Sequence, residues 1–429
     1  MNTELKKLFT MLEAGTSAAL TVEEAARQLE EAGFEELEFQ NSWGLKHGGK
    51  YYMKHHGTTL FAFTVGGKLQ FRDSFRMAAA HTDYPCLRIK PNPDMQAAGY
   101  EQLNVEVYGG PIINTWLDRP LGISGRVAVR SGDVMRPDMR LVDIRRPLMV
   151  IPNLAIHLNR EVNKGVELNK QTELLPVIGT VNGEQNEGGA FLDFLTEELK
   201  VAREDILDFE LWLTCTEQPQ MVGIREDFVV SPRLDNLTSV QALVSGIING
   251  ARDRGFNLIA LFDHEEVGSR SKQGAASLLL QNIMEKICEC FGWSSMQIKE
   301  AIYDSMLLSV DVAQGTHPNY QGKMDPVNRP VLNGGFCIKE ACSQSYATDC
   351  EAVAIVEQIC RTREIPYQKF VNRSDMPGGG TLGAIASSII PIPTVDIGVP
   401  LLAMHSAVET MGAKDQAAVT ELITAFLSL

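Results

Sequence analysis

Leu258-Ile259-Ala260-Leu261-Phe262-Asp263-His264-Glu265-Glu266 is the stretch that decides the fold. Its five apolar residues are too few for a buried helix and lack the polar alternation of a half-exposed strand. They read as a short strand covered on both faces. The strand then runs straight into carboxylates and an imidazole. Open α/β sheets collect their reactive groups at such strand ends.

The same pattern recurs on either side. Met306-Leu307-Leu308-Ser309-Val310 ends in Asp311, and the run Ile392-Pro393-Thr394-Val395 leads on to His405. Upstream, an apolar run over 68–80 ends at His81-Thr82-Asp83. Helical spacing of Leu237, Val240, Val244, Ile247 and Ile248 predicts a helix over 236–254. Further helices are expected near 275–291 and 346–363. Short apolar strands alternating with helices imply an α/β fold, a mostly parallel sheet sandwiched by helices.

At the N-terminus, 3–14 and 22–32 read as amphipathic helices. Thr21 and Glu24 form a capping-box pattern, and Gly33 stops the second helix. Residues 50–64 read as strand. From 86 to 221 the texture changes to short β-like runs, such as 103–108, 121–130 and 208–215, punctuated by Pro and Gly. The expected organisation is a discontinuous domain, 1–85 with 222–429, interrupted by a β-rich insertion over 86–221.

Composition narrows the function. The 429 residues carry a net charge of −15, which disfavours nucleic acid and anionic membrane surfaces. An acidic ligand is still compatible, since a local cationic pocket can exist in an acidic protein. The eight cysteines form no paired CxxC framework and read as reduced thiols of a cytoplasmic protein. Neither a signal peptide nor an apolar run of about 18 residues is expected.

The residues at the strand exits are those a metal needs. Imidazole with carboxylate oxygen suits Zn2+, with Co2+ or Mn2+ as replacements. Two metals need a bridging carboxylate and further ligands on each side, and His81, Asp235, Glu266, Asp311 and His405 meet that need. Asp235, in Arg233-Leu234-Asp235-Asn236 just before a helix, fits the bridge. Within the Glu265-Glu266 pair, one residue can bind metal while its neighbour holds the attacking water. Two ions about 3.5–4 Å apart would share that water and polarise a carbonyl. Asp83 is expected to accept the proton on the other ring nitrogen of His81. A Glu-Glu pair or one strand-end histidine is ordinarily a solvated face or a satisfied core group. It is the conjunction at successive strand exits that points to chemistry.

Other residues are weighed the same way. Met376-Pro377-Gly378-Gly379-Gly380-Thr381 lacks the Gly-Lys-Ser/Thr of a phosphate loop, so a pocket wall or a plain turn is expected. His47, His55 and His56 read as surface. His317-Pro318-Asn319-Tyr320 lines a cleft or caps a loop, and Lys339 by default is solvated.

His81-Thr82-Asp83-Tyr84-Pro85-Cys86-Leu87-Arg88, Arg233-Leu234-Asp235-Asn236, Asp263-His264-Glu265-Glu266-Val267-Gly268-Ser269 and Leu402-Ala403-Met404-His405-Ser406 together resemble the aspartyl aminopeptidase (M18) family. Asp311 with His317-Pro318-Asn319-Tyr320, Gly33-Phe34-Glu35-Glu36-Leu37, Gly48-Gly49-Lys50-Tyr51-Tyr52 and Ile151-Pro152-Asn153-Leu154-Ala155-Ile156-His157-Leu158 extend the likeness along the chain. The resemblance implies a zinc-peptidase fold whose insertion mediates dimerisation, and dimers that assemble into a dodecamer. It implies two Zn2+ per subunit: one held by His81 and Asp311, the other by Glu266 and His405, with Asp235 bridging. Glu265 would be the general base, and Asp83 is counted with it among the catalytic residues. Substrate contacts would come from Lys339, His157 of a neighbouring subunit, Gly379 and Met404. The substrates would be peptides with a free N-terminal residue, preferably Asp or Glu, read by Lys339. The Gly-rich loop departs from the family's Pro-Cys-Gly form, which leaves the fine shape of the pocket open.

Two rival readings share part of this pattern. One is another co-catalytic zinc hydrolase: an M42-type aminopeptidase, a carboxypeptidase or a deacylase with a different substrate preference. The other is a non-catalytic shell protein, which should have lost ligands that are present here.

Overall fold

The computed structural model describes residues 1–70, 72–181 and 189–429. Phe71, inside the expected strand 68–80, and 182–188, inside the expected insertion, lie outside the described residues. Contacts divide the chain into two units. The first is Met1–Asp83, Pro219–Met404 and Glu409–Leu429; the second is Tyr84–Gln218 with His405–Val408. The boundaries thus fall at 84 and 218 rather than 86 and 221. The return of 405–408 to the second unit has a local cause. Ile112 N donates to the His405 carbonyl at 2.8 Å, and Ala407 N to Thr115 Oγ1 at 2.9 Å.

A nine-stranded mixed sheet organises the first unit. In chain order its strands are β1 (Glu35–Glu36), β2 (Lys50–His55), β3 (Thr59–Val65), β4 (Phe75–His81) and β5 (Phe256–Phe262). They continue with β6 (Met306–Val310), β7 (Phe336–Glu340), β8 (Tyr367–Val371) and β9 (Thr394–Gly398). The spatial order is β1-β2-β3-β5-β4-β6-β9-β7-β8. The central strands β5, β4, β6 and β9 run parallel, whereas β3 and β7 run antiparallel to their neighbours β5 and β9. Two expected strands are shorter or split. The 50–64 run breaks at His56 and Gly57, both at positive φ. The 68–80 run starts only at Phe75, because the Asp73 carboxylate accepts Gln70 N at 2.6 Å and closes a turn.

Alternation along each strand feeds two cores. Ile259 and Leu261 of β5 join Ala78 and Ala80 of β4 on one face, while Leu258, Ala260 and Phe262 join Met77 and Ala79 on the other. The first face is covered by helices α1 (Thr3–Ala14), α2 (Ala18–Glu31), α3 (Leu234–Asn249), α6 (Cys350–Arg363) and α8 (Asp415–Phe426). The opposite face is covered by α4 (Leu279–Cys290), α5 (Ser295–Tyr303) and α7 (Leu382–Ile389). Each fully buried Leu or Ile contributes about 1.5–3 kcal/mol. Helix α2 starts earlier than expected: Ser17 caps it by accepting Leu20 N, and Thr21 lies buried in its first turn.

The parallel register sets the strand ends level. His81 pairs with Phe262, and Ser309 with Ala79, so Asp311 leaves β6 at the height of His81. A smaller five-stranded sheet in the same unit pairs Ser231 with Glu409.

The second unit is built on a six-stranded antiparallel sheet, ordered Asp138–Met149, Leu121–Val129, Ile206–Cys215, Cys86–Ala97, Tyr100–Tyr108 and Val177–Thr180. Its core includes Leu87, Val105, Ile123, Val127, Leu211 and Leu213.

Candidate metal centre

Strand ends deliver the side chains of the first unit's site. His81 closes β4 and is 1% exposed. Its Nε2 lies 3.5 Å from Asp235 Oδ1 and 3.5 Å from Asp311 Oδ1. One ligand atom each of His81, Asp235 and Glu266 lie within 4.8 Å of one another. Asp235 enters at the start of α3 through a bent first turn and a cis bond to Asn236. Asn236 Nδ2 anchors that turn by donating to the Val310 carbonyl at 3.0 Å. Glu265 and Glu266 sit on a single tight turn, which His264 enters at φ 64.

Asp83 meets the Nδ1 side of the His81 ring, with its backbone carbonyl as the nearer partner. The His81 Nδ1 proton meets the Asp83 backbone carbonyl at 3.0 Å, closer than the carboxylate at 3.5 Å. That bond places the proton on Nδ1 and leaves the Nε2 lone pair facing the two aspartates. The Asp83 carboxylate instead accepts the amides of Glu265 and Glu266, each at 3.1 Å. It therefore ties the end of β4 to the turn that presents both glutamates.

The electrostatics are those of a cation site. An imidazole lone pair aimed at two carboxylate oxygens is repulsive unless a proton or a metal lies between them. Burial lowers the His81 pKa, but Asp235, Asp311 and Asp83 outweigh burial and hold it well above its usual range. Burial pushes Glu265 up to about 8; His81 opposes the shift, and Asp311, Asp83 and Asp235 add to it. Burial also favours the neutral form of Asp311, yet Lys339 and His81 hold that carboxyl well below the usual range. Imidazole, carboxylate and low exposure suit zinc, so the residues present fit that ion.

Lys339, in β7, is 2% exposed rather than solvated. Its ammonium donates to the Val312 carbonyl at 2.9 Å, lies 3.6 Å from Asp311 Oδ2 and sits over the Tyr346 ring at 4.8 Å. Gly379 is exposed in its loop, and Met404 is half-buried against the first core. His405 belongs to the second unit, where its Nδ1 lies 3.0 Å from the Gly110 carbonyl. His157 is exposed in the second unit. Sequence reasoning missed Glu409. It is buried and accepts Asp235 N at 2.9 Å, fixing the backbone of a predicted ligand. The available signal was a glutamate inside the short run Ala407-Val408-Glu409-Thr410-Met411.

The family description "Aminopeptidase I zinc metalloprotease (M18)" matches residues 11–427. The probable M18 family aminopeptidase 2 of Clostridium acetobutylicum is 42% identical over 425 residues, covering 99% of this chain and 98% of that protein. Among solved structures, the chain resembles one in the cryo-EM structure of the Ape4 and Nbr1 complex, with TM-score 0.94, 33% identity, and coverage of 99% and 85%. The S. cerevisiae mApe1 dodecamer matches in fold, with TM-score 0.84, 24% identity, and coverage of 98% and 95%. No described helix is long and apolar enough to cross a membrane. The site, the fold and these likenesses agree: the chain belongs to the M18 family of zinc aminopeptidases.

Proposed function

We propose that this aminopeptidase uses two zinc ions per subunit, prefers peptides with N-terminal Asp or Glu, and employs Glu265 as its general base. The observation that carries the reading is the His81 ring nitrogen, 3.5 Å from both Asp235 and Asp311 with Glu266 in the same cluster. His81, Asp311, Asp235 and Glu266 would hold the zinc. His405 enters this ligand set from its sequence motif alone. When bound, zinc supplies Lewis-acid polarisation of the peptide carbonyl and lowers the pKa of water.

The chain's own residues perform the proton transfers. Glu265, ionised, takes a proton from the attacking water at its carboxylate. Protonated, it returns that proton to the leaving amine. The Asp83 carboxylate holds the Glu265 and Glu266 amides and so keeps base and ligand on one turn. Glu409 does the same for the Asp235 amide. Lys339 favours the ionised form of Asp311, and the acidic preference assigns it a second contact, to the substrate carboxylate. Charge-assisted contacts of that kind contribute about 1.5–3 kcal/mol.

The mApe1 relative is a dodecamer, and we read this chain as a homo-oligomer too. Leu154, Ile156 and Leu158, each half or more exposed in the second unit, support burial against another subunit. His157 lies between two of them and is the residue proposed to reach a neighbouring subunit's site. No disulfide joins the eight cysteines among the described residues, in keeping with the proposed cytoplasmic setting.

A rate profile over all N-terminal residues, run with matched N-acylated chromogenic substrates, tests the proposal. Asp and Glu substrates should be cleaved fastest and the acylated set not at all. Cleavage of the acylated set alone would establish a deacylase or carboxypeptidase reading instead.

A further inference from the structure

Asp396 has no part in the chemistry above, yet it is fully buried in the middle of β9. Its register partners are Ser309, two residues before Asp311, and Lys339. It therefore lies in the sheet directly between the strands that carry those two groups. Its carboxylate faces two segments with no regular structure of their own. Oδ1 accepts the Thr381 hydroxyl at 2.6 Å, and Oδ2 accepts the Ala347 amide at 2.6 Å. Two more bonds reinforce the junction. Asp396 N donates to Thr348 Oγ1 at 2.9 Å, and Thr381 N donates to the Ser345 carbonyl at 3.2 Å.

Thr381 ends the glycine-rich loop, whose residues Met376 to Gly380 are exposed. The other segment carries Tyr346, the ring beneath the Lys339 ammonium. Helix α7, which follows Thr381, seats tightly on the same carboxylate. A Cβ added at Gly383 would lie 2.9 Å from Asp396 Oδ1 and 2.5 Å from Ser309 Cβ. A loop with three consecutive glycines has high conformational entropy when free. One short, charge-assisted bond at its end removes much of that freedom.

We propose that Asp396 is a positioning residue: its carboxylate clamps the 376–381 loop to the 345–348 segment and so sets the wall against which the substrate's N-terminal residue binds. The proposal rests on the peptidase reading above. Thr381→Val removes one arm of the clamp and leaves Asp396 in place; Asp396→Asn weakens both arms. Each should raise KM about ten-fold, the loss of roughly one charge-assisted bond. In each, kcat should stay within about three-fold of wild type, with zinc content unchanged. Thr381→Ser, which keeps the hydroxyl, should behave as wild type. An unchanged KM in Thr381→Val, or a fall in kcat with loss of zinc, would overturn the assignment.

Hydrogen exchange reads the clamp independently of activity. Amides of 376–381 should exchange faster in Thr381→Val while β9 remains protected. Unaltered loop exchange would refute the clamp even in an active enzyme. A wild type that cleaves no peptide would sink the peptidase reading, and exchange would still decide the clamp.

Discussion

Replacing Asp83 by asparagine keeps the side-chain shape and removes its charge. In the wild type both carboxylate oxygens are used, each accepting one amide at 3.1 Å from the turn that carries Glu265 and Glu266. A carboxamide offers one oxygen, and its NH2 would face the second amide, donor against donor. One charge-assisted bond is lost and the other becomes neutral, a loss of about 1.5–3 kcal/mol. The His81 ring keeps its orientation, because its closer contact is the Asp83 backbone carbonyl at 3.0 Å. The loss therefore falls on the glutamate turn, which His264 must enter at φ 64 against local preference. Since every 1.4 kcal/mol is about ten-fold, the expected drop in zinc affinity is about 10–150-fold. Competition with a chromogenic chelator measures it directly, and kcat/KM at limiting zinc should fall in parallel. A zinc affinity within about three-fold of wild type would refute this role for Asp83.

The other predictions are more direct. Glu265→Gln should retain zinc and lose about 10²–10⁴ in kcat; loss of zinc in that variant would show that the base is misassigned. The base works ionised, so kcat/KM must fall as pH drops through the Glu265 pKa. Burial and neighbouring carboxylates put that pKa at about 8 without metal, and bound cations lower it, so the acid limb should lie below pH 8. A midpoint above that would contradict the assignment. Lys339→Ala should weaken cleavage of Asp and Glu substrates more than of Leu substrates. An equal loss accompanied by loss of zinc would confine Lys339 to holding Asp311. A thiol reagent at neutral pH should label no more than Cys290, Cys342 and Cys350 in the native protein, because the other five cysteines are buried. Labelling of Cys337 or Cys288 would contradict the packing.

Much of this was legible in the sequence because strand ends carry their own signal. Five apolar residues followed by Asp263-His264-Glu265-Glu266 predict both a buried strand and what it presents, and β6 with Asp311 repeats the logic. Parallel register, which follows from the strand-helix alternation, then levels the ends. What escaped depends on side-chain direction, which periodicity does not encode. The Asp83 carboxylate turns toward two amides 182 and 183 positions away. Lys339 reads as a solvated lysine until β9 and Asp311 enclose it. Glu409 and Asp396 are acidic residues in short strands, and only the pairing of those strands reveals the backbone amides that they satisfy. The cap of α2 lies at Ser17 rather than Thr21 for a similar reason. Thr21 and Glu24 fit the pattern, but Ser17 has the extended backbone an N-cap needs.

Zinc bound per chain, measured by elemental analysis on wild type and Asp235→Ala, tests the central claim most directly. The account predicts two ions in the wild type and at most one once the shared aspartate is gone. Fewer than one ion in carefully loaded wild type, or two retained without Asp235, would contradict it.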